Sequence, residues 1–263
     1  MALNINELIV DRVRQARLHD LSTDALLMRL THIEDASLQA GATGDELTDA
    51  VGATITTIYR AKTATFSGSN SLLSLDLLAQ QYGTQKEVAS TSNKITVPAY
   101  TVLPIASGKI TLPHTPVENS VKYAYTVVNG NIADTYEYAS TAGAGKFTMT
   151  DEGVLTFPSG VADGTKIFVE YDYESENAVR IDNVASNFPQ AAKLLIDVLF
   201  RDVCNENTKY AGVIVCPKAK LDPSSAEVPV TATGKHPFTY NMNKEYCAEE
   251  GEDNLFYIVV AED

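Results

Sequence analysis

Residues Asp49–Gly83 read DAVGATITTIYRAKTATFSGSNSLLSLDLLAQQYG, and this stretch decides the fold class. From Val51 to Arg60 the residues alternate. Val51, Ala53, Ile55, Thr57 and Tyr59 fall on one face and Thr54, Thr56, Ile58 and Arg60 on the other, the period of a half-buried strand. A second run, Lys62 to Ser67, continues the texture. Ser71 stands where an N-cap hydroxyl accepts from free helix amides, and Leu72, Leu75 and Leu78 recur at helical spacing beside Leu73 and Leu77. Gly83 supplies the left-handed stop. The spacing predicts one short helix over about residues 71–82, with strand before it and no reactive residue within it.

Outward from this segment the chain reads as mainly β. The N-terminal run Asn6–Arg17 fits helix or strand, because Leu8, Ile9 and Val13 suit one period and Ile9, Asp11 and Val13 the other. Ser22-Thr23-Asp24 precedes a short helix or strand at Ala25–Leu30, and Gly41-Ala42-Thr43-Gly44 reads as a loop. Beyond Lys94 come short runs separated by Pro, Gly and Asn: Lys94–Leu103, Lys109–Leu112, Val121–Val128, Thr135–Ala139, Lys146–Thr150, Val154–Phe157 and Thr165–Tyr173. Asn129-Gly130-Asn131 is a hairpin turn by composition. Such spacing predicts a β-sandwich-like module. Ala191–Val203 suits either period, and its β-branched and aromatic content favours strand. Tyr210–Cys216, Glu227–Thr231, Phe238–Met242 and Leu255–Val260 complete a second set of strands, with a solvated acidic loop at Cys247–Asn254.

Several short motifs, in order, resemble bacteriophage major tail (tail tube) proteins. They are Asp49-Ala50-x-Gly52, Ile58-Tyr59-x-x-Lys62, Ser67-Gly68-x-Asn70 and Leu77-Leu78-Ala79-x-Gln81-x-Gly83. After Phe188-Pro189 and the apolar run Ala191–Val203 follows Tyr210-x-Gly212-x-Ile214-x-x-Pro217-Lys218-Ala219-Lys220, and the chain ends in a strand. The resemblance implies a tail-tube-like β-sandwich or barrel made of residues 1–95 and 180–263, with residues 96–179 as an inserted β-rich module that decorates the tube exterior or widens subunit contacts. It further implies subunits that close into hexameric rings, rings that stack into a tube, and DNA passing through the bore. The implied partners are other copies of the chain and the sheath or terminator, tape measure and baseplate proteins. The place is the virion tail, assembled in host cytoplasm. A capsid decoration or baseplate component is the alternative. Interface contacts are expected in two segments read as loops. Thr43, Gly44, Asp45 and Glu46 belong to the first; Lys62, Thr63, Phe66, Ser67, Gly68 and Asn70 belong to the second.

The charge agrees with a conduit rather than a nucleic-acid clamp. The 263 residues carry 20 Lys and Arg against 34 Asp and Glu, a net −14. Residues 1–131 hold 12 acids and 10 bases, whereas residues 132–263 hold 22 acids and 10 bases. Tight binding to phosphates needs clustered bases, and no such cluster is present. An acidic surface repels phosphates and also keeps an abundant protein soluble. No apolar run reaches membrane-spanning length, and Glu7, Asp11, Arg12, Arg14 and Arg17 interrupt any leader-like core, so a soluble protein without membrane contact is expected.

No catalytic constellation emerges. Cys204, Cys216 and Cys247 are odd in number and read as free thiols in a reducing compartment. Gly143-Ala144-Gly145-Lys146 has Ser140 and Phe147 where a phosphate loop needs Gly and Ser or Thr, so it reads as a turn. His19, His32, His114 and His236 are scattered and read as structural loop residues. Glu170, Asp172, Glu174 and Glu176 share one face of a strand and read as a solvated face opposite Ile167, Val169, Tyr171 and Tyr173. No cofactor, metal or enzymatic role is expected. Thirteen tyrosines, among them Tyr59, Tyr123, Tyr125, Tyr136, Tyr138, Tyr171 and Tyr173 in strands, reflect β propensity and cross-strand packing or else an interface.

Overall fold

A computed structural model describes residues 7–141, 143–204, 207–244 and 254–262. In chain order its elements are β1 (Leu8–Asp20), β2 (Leu26–Leu30), β3 (Ile33–Thr48), β4 (Thr54–Asn70), α1 (Leu75–Tyr82), β5 (Glu87–Val88), β6 (Ile95–Pro104), β7 (Lys109–Thr111), β8 (Tyr123–Val128), β9 (Asn131–Tyr138), β10 (Lys146–Met149), β11 (Val154–Thr156), β12 (Lys166–Ser175), β13 (Val179–Arg180), β14 (Ala191–Asp202), β15 (Lys209–Leu221), β16 (His236–Met242) and β17 (Tyr257–Glu262). Among the described residues the protein is mainly β with one α-helix, as the sequence predicts. Two compact units are formed, one from Met1–Lys86 with Ile181–Asp263 and the other from Glu87–Arg180.

The first unit is an eight-stranded, nearly closed, barrel-like sheet in the order β2-β1-β14-β15-β16-β4-β3, with β17 also paired to β15. Alternation drives it. In β14, Leu194, Ile196 and Val198 point into the core while Lys193, Asp197 and Arg201 point away. β1 answers with Ala16 and Leu18 inward, which resolves the open reading of the N-terminal run as strand. Outside, Arg17 reaches Asp197 at 2.7 Å and Arg201 reaches Asp11 at 2.9 Å, tying β1 to β14 across the sheet. Gly212 in β15 is required by a close approach, since a Cβ there would meet the Phe200 ring at 2.2 Å.

Helix α1 starts later than the sequence predicts. Ser74, not Ser71, is the N-cap and accepts from Leu77 N–H at 3.2 Å, whereas Ser71 N–H donates to the His32 carbonyl at 3.0 Å. Leu72, Leu73 and Leu75 consequently stay exposed, and Leu77, Leu78, Ala79 and Gln81 form the buried face. The predicted stop is observed. Gly83 has φ +64°, Thr84 N–H closes on the Ala79 carbonyl, and a Cβ at Gly83 would lie 2.2 Å from the Phe188 carbonyl oxygen.

The second unit is a seven-stranded sheet, β6-β12-β8-β9-β10-β11-β7, around its own core of Ile105, Ile110, Ala124, Phe147, Leu155, Ile167 and Val169. The two-residue pair of β5 and β13 places the chain's entry and exit side by side. Asn129 (φ +51°) and Gly130 (φ +82°) make the predicted turn between β8 and β9. In β8 it is Ala124 and Thr126 that face inward, which sends Tyr123 and Tyr125 to the opposite face.

Several local expectations are corrected. Glu227–Thr231 is not a strand, because Pro229 cannot donate to a ladder and Val230 is 92% exposed. Gly41–Gly44 and Lys62–Asn70 are not loops but parts of β3 and β4. His19 lies in β1 and His236 opens β16, fully buried, so neither is a loop residue. The acidic loop with Cys247 lies almost wholly outside the described residues.

Candidate assembly interface

β3 and β4 pair from Ile33↔Asn70 to Thr48↔Thr54, one of the longest ladders in the chain. Its two halves differ. From Ala64 to Asn70, β4 is flanked by both β3 and β16, and Ala64, Phe66, Ser69 and Asn70 are buried. Before Ala64 the only partner of β4 among the described residues is β3, and the hairpin extends roughly 30 Å as a two-stranded arm at about 3.4 Å per residue. All but one of the residues from Thr54 to Thr63 are exposed, Thr57 being intermediate, so the half-buried strand expected there is overturned. The alternation is real, but among the described residues no second layer covers either face.

At the tip, the Asp49 carboxylate accepts from Val51 N–H at 2.9 Å and Ala53 N–H at 2.8 Å, a side-chain turn that reverses the chain. Along the arm stand Leu47, Val51, Ile55, Ile58 and Tyr59, all exposed, with Val51 at 92%, Tyr59 at 70% and Ile55 at 63%. One exposed ion pair, Arg60 to Asp45 at 2.7 Å, spans the two strands and contributes little by itself. A hairpin with two wet faces and branched apolar side chains on both is marginal alone in water. Its composition is that of a surface awaiting a partner.

The structure distributes the sequence-predicted interface residues unequally. Thr43, Gly44, Asp45 and Glu46 sit together on the arm in β3, opposite Ala61, Tyr59, Ile58 and Thr57, and Lys62 and Thr63 stand at its root. Phe66 is 2% exposed within the core and Asn70 is buried with its side-chain amide donating to the Leu72 carbonyl, while Ser67 and Gly68 are half-buried beside β16. These last four shape the sheet rather than offer it outward. Next to Lys62 and Thr63 an open depression of about 1030 Å³ runs to Leu255 and Phe256. β17 beyond it pairs only with β15 among the described residues and leaves Tyr257, Ile258 and Val259 exposed.

One polar cluster went unpredicted. The His236 Nε2–H donates to Gln81 Oε1 at 2.8 Å, the Gln81 amide donates to the Pro237 carbonyl at 2.9 Å, and Ser74 N–H donates to His236 Nδ1 at 3.4 Å. This arrangement fixes the neutral tautomer and latches α1 onto β16; burial pushes the imidazole pKa down. The partners lie over 150 positions apart, so no local spacing announces them. Burial likewise pushes the Cys216 thiol up to about 12, an unreactive packed cysteine. Among the described residues no group of three His, Cys, Asp or Glu side chains is placed to hold a metal.

A barrel-like sheet with an uncovered two-stranded arm, an apolar edge strand and a buried histidine that latches helix to sheet is the anatomy of a structural subunit. The profile of the YomU/Tube protein family matches residues 8–258, and the chain belongs to that family. It is thus a tube-type structural protein, consistent with the phage tail tube proteins whose motifs it resembles. No curated protein matches it significantly.

Proposed function

We propose that this chain is the repeating subunit of a phage tail tube, joined copy to copy into rings, six to a ring, that stack around a bore for DNA. The β3–β4 arm carries this reading. Its exposed Leu47, Val51, Ile55, Ile58 and Tyr59 gain a dry surface when laid against a neighbouring copy, and at roughly 25 cal/mol per Å² such burial stabilises assembly appreciably. Thr43, Gly44, Asp45, Glu46, Lys62 and Thr63 are then contact residues, and the edge of β17 extends the sheet into the adjacent subunit. The net charge of −14 keeps the genome sliding rather than adhering. Residues 96–179 decorate the exterior, and tape measure, terminator or sheath, and baseplate proteins meet the tube at its ends and surfaces.

Negative-stain microscopy of the purified full chain tests the proposal. Rings or tubes with a central hole are expected, and replacing Ile55 and Ile58 by Ser abolishes them while the monomer stays folded. Monomers alone at high concentration, with the protein located on capsids instead, would favour a decoration role.

A further inference from the structure

Strand β6 stands at one edge of the second unit's sheet, and among the described residues it pairs only with β12. The register from Ile95↔Ser175 to Pro104↔Lys166 runs without a shift, so successive residues of β6 turn their backbone groups alternately toward β12 and away from it. Just past the strand's end Ile105 N–H donates to the Thr165 carbonyl at 2.9 Å, which assigns the odd positions to β12. The even positions face outward, and Pro98 and Pro104, which have no N–H to give, stand there without breaking the ladder. Between them the backbone groups of Tyr100 and Val102 line an open edge, with side chains 72% and 45% exposed. The same two side chains lie on the sheet face turned from the core, since Ala99 and Leu103 take the inner side. Glu170 lies directly across from Tyr100, one step beyond Val169↔Ala124 brings Tyr123 to its other flank, and Phe168 with Tyr125 fills the next row. The rings therefore form an arc around Glu170, with centroids 5.8 Å (Tyr100–Phe168), 6.2 Å (Phe168–Tyr125) and 6.4 Å (Tyr125–Tyr123) apart. Glu170 is exposed, and among the described residues its carboxylate makes no hydrogen bond or ion pair.

We propose that β6 receives an extended basic segment of a partner protein as an added strand, with an Arg or Lys set opposite Tyr100. Backbone pairing to Tyr100 and Val102 supplies the attachment, as in other recognition by strand addition to an exposed edge. Strands lie roughly 4.8 Å apart, so the residue opposite Tyr100 stands two spacings, about 10 Å, from Glu170. A long cationic side chain bridges that gap by crossing the Tyr100 ring, gaining a cation–π contact on the way and an ion pair at its end. The two prolines confine the pairing to a short segment and guard the rest of the edge. A second copy's β6 is a poor occupant, because Ile95–Pro104 contains no charged residue and brings no base to Glu170. The inference goes beyond the tube reading and does not rest on it: the site lies within the second unit of one copy.

Arrays of immobilised hexapeptides that alternate Thr and Val, with Arg, Lys, citrulline or Glu at one central position, are probed with the full chain in dispersed form. Retention on the Arg and Lys peptides about tenfold above the citrulline and Glu peptides is expected. N-methylation at the Arg and at the residues two positions either side removes the amides that face β6 and lowers retention about tenfold, whereas methylation of the other alternate set leaves it unchanged. Val102→Pro, which deletes one outward N–H and keeps the rings and Glu170, has the same effect from the protein's side. Glu170→Gln brings the Arg signal down to that of citrulline, Tyr100→Ala weakens it severalfold, and Glu152→Gln in the β10–β11 turn leaves it as it was. No retention on any Arg or Lys peptide overturns the proposal. Retention indifferent to both N-methylation and Val102→Pro would make the surface a cation patch without strand addition. Self-association of the chain that Val102→Pro abolishes would make β6 a contact between copies. Either result contradicts the proposal.

Discussion

Within one strand, β4, residues 54–63 and 64–70 share the same alternation yet meet opposite fates. The outer half shows both faces to water with Ile55, Ile58 and Tyr59 exposed; the inner half buries Ala64 and Phe66 between β3 and β16. Periodicity specifies that a segment is extended and which residues share a side. It does not specify whether anything lies over that side, because the covering layer comes from elsewhere in the chain or from another molecule. The arm is the place where a strand pattern is complete and its partner is not.

Substitution separates the two halves most sharply at Phe66. Phe66→Ala empties a site packed against Phe238 at 5.7 Å between ring centroids and lowers folding stability by about 3–5 kcal/mol, read from urea unfolding midpoints. Gly83→Ala, just beyond the inner half, forces a left-handed backbone on alanine against the Phe188 carbonyl and costs about 1–3 kcal/mol by the same measurement. A smaller effect concerns the latch that holds α1 on β16. Because burial holds the His236 pKa below its ordinary 6.5, the unfolded chain takes up a proton that the folded chain refuses, so stability falls as pH drops through that value. Unfolding midpoints at roughly pH 7.5 and roughly pH 5.5 differ more for the wild type than for His236→Gln. On the outer half, Ile55→Ser changes monomer stability by no more than about 0.5 kcal/mol, since Ile55 is 63% exposed and nothing among the described residues covers it, while tube yield collapses.

Much of the fold is legible in the sequence because local chemistry forces it. The alternation Leu194, Ile196, Val198 and the Gly83 stop are written in residue order, and so are most strands of the second unit. Other features depend on distant groups. Ser74 caps α1 in place of Ser71 because Ser71 is engaged by the His32 carbonyl, and the Gln81–His236 latch joins residues 155 positions apart. The motifs that resemble tail tube proteins turn out to be mostly such structural fixtures: Gly212 beneath Phe200, Asn70 turning back to Leu72, Gln81 on Pro237. Of the interface residues, those read near Gly44 land on the arm, whereas Phe66 and Asn70 land inside. A signal separating them was present, since Thr54–Thr63 carries Ile and Thr on both parities and Ala64–Phe66 opens a one-sided pattern.

Hydrogen–deuterium exchange along residues 41–63, compared between dispersed and assembled protein, tests most directly whether the arm completes itself on a neighbour. Strong protection of Ile55, Ile58 and Tyr59 amides on assembly, with Phe66 equally protected in both states, is the predicted result. Exchange on the arm that stays fast in assembled tubes would contradict it.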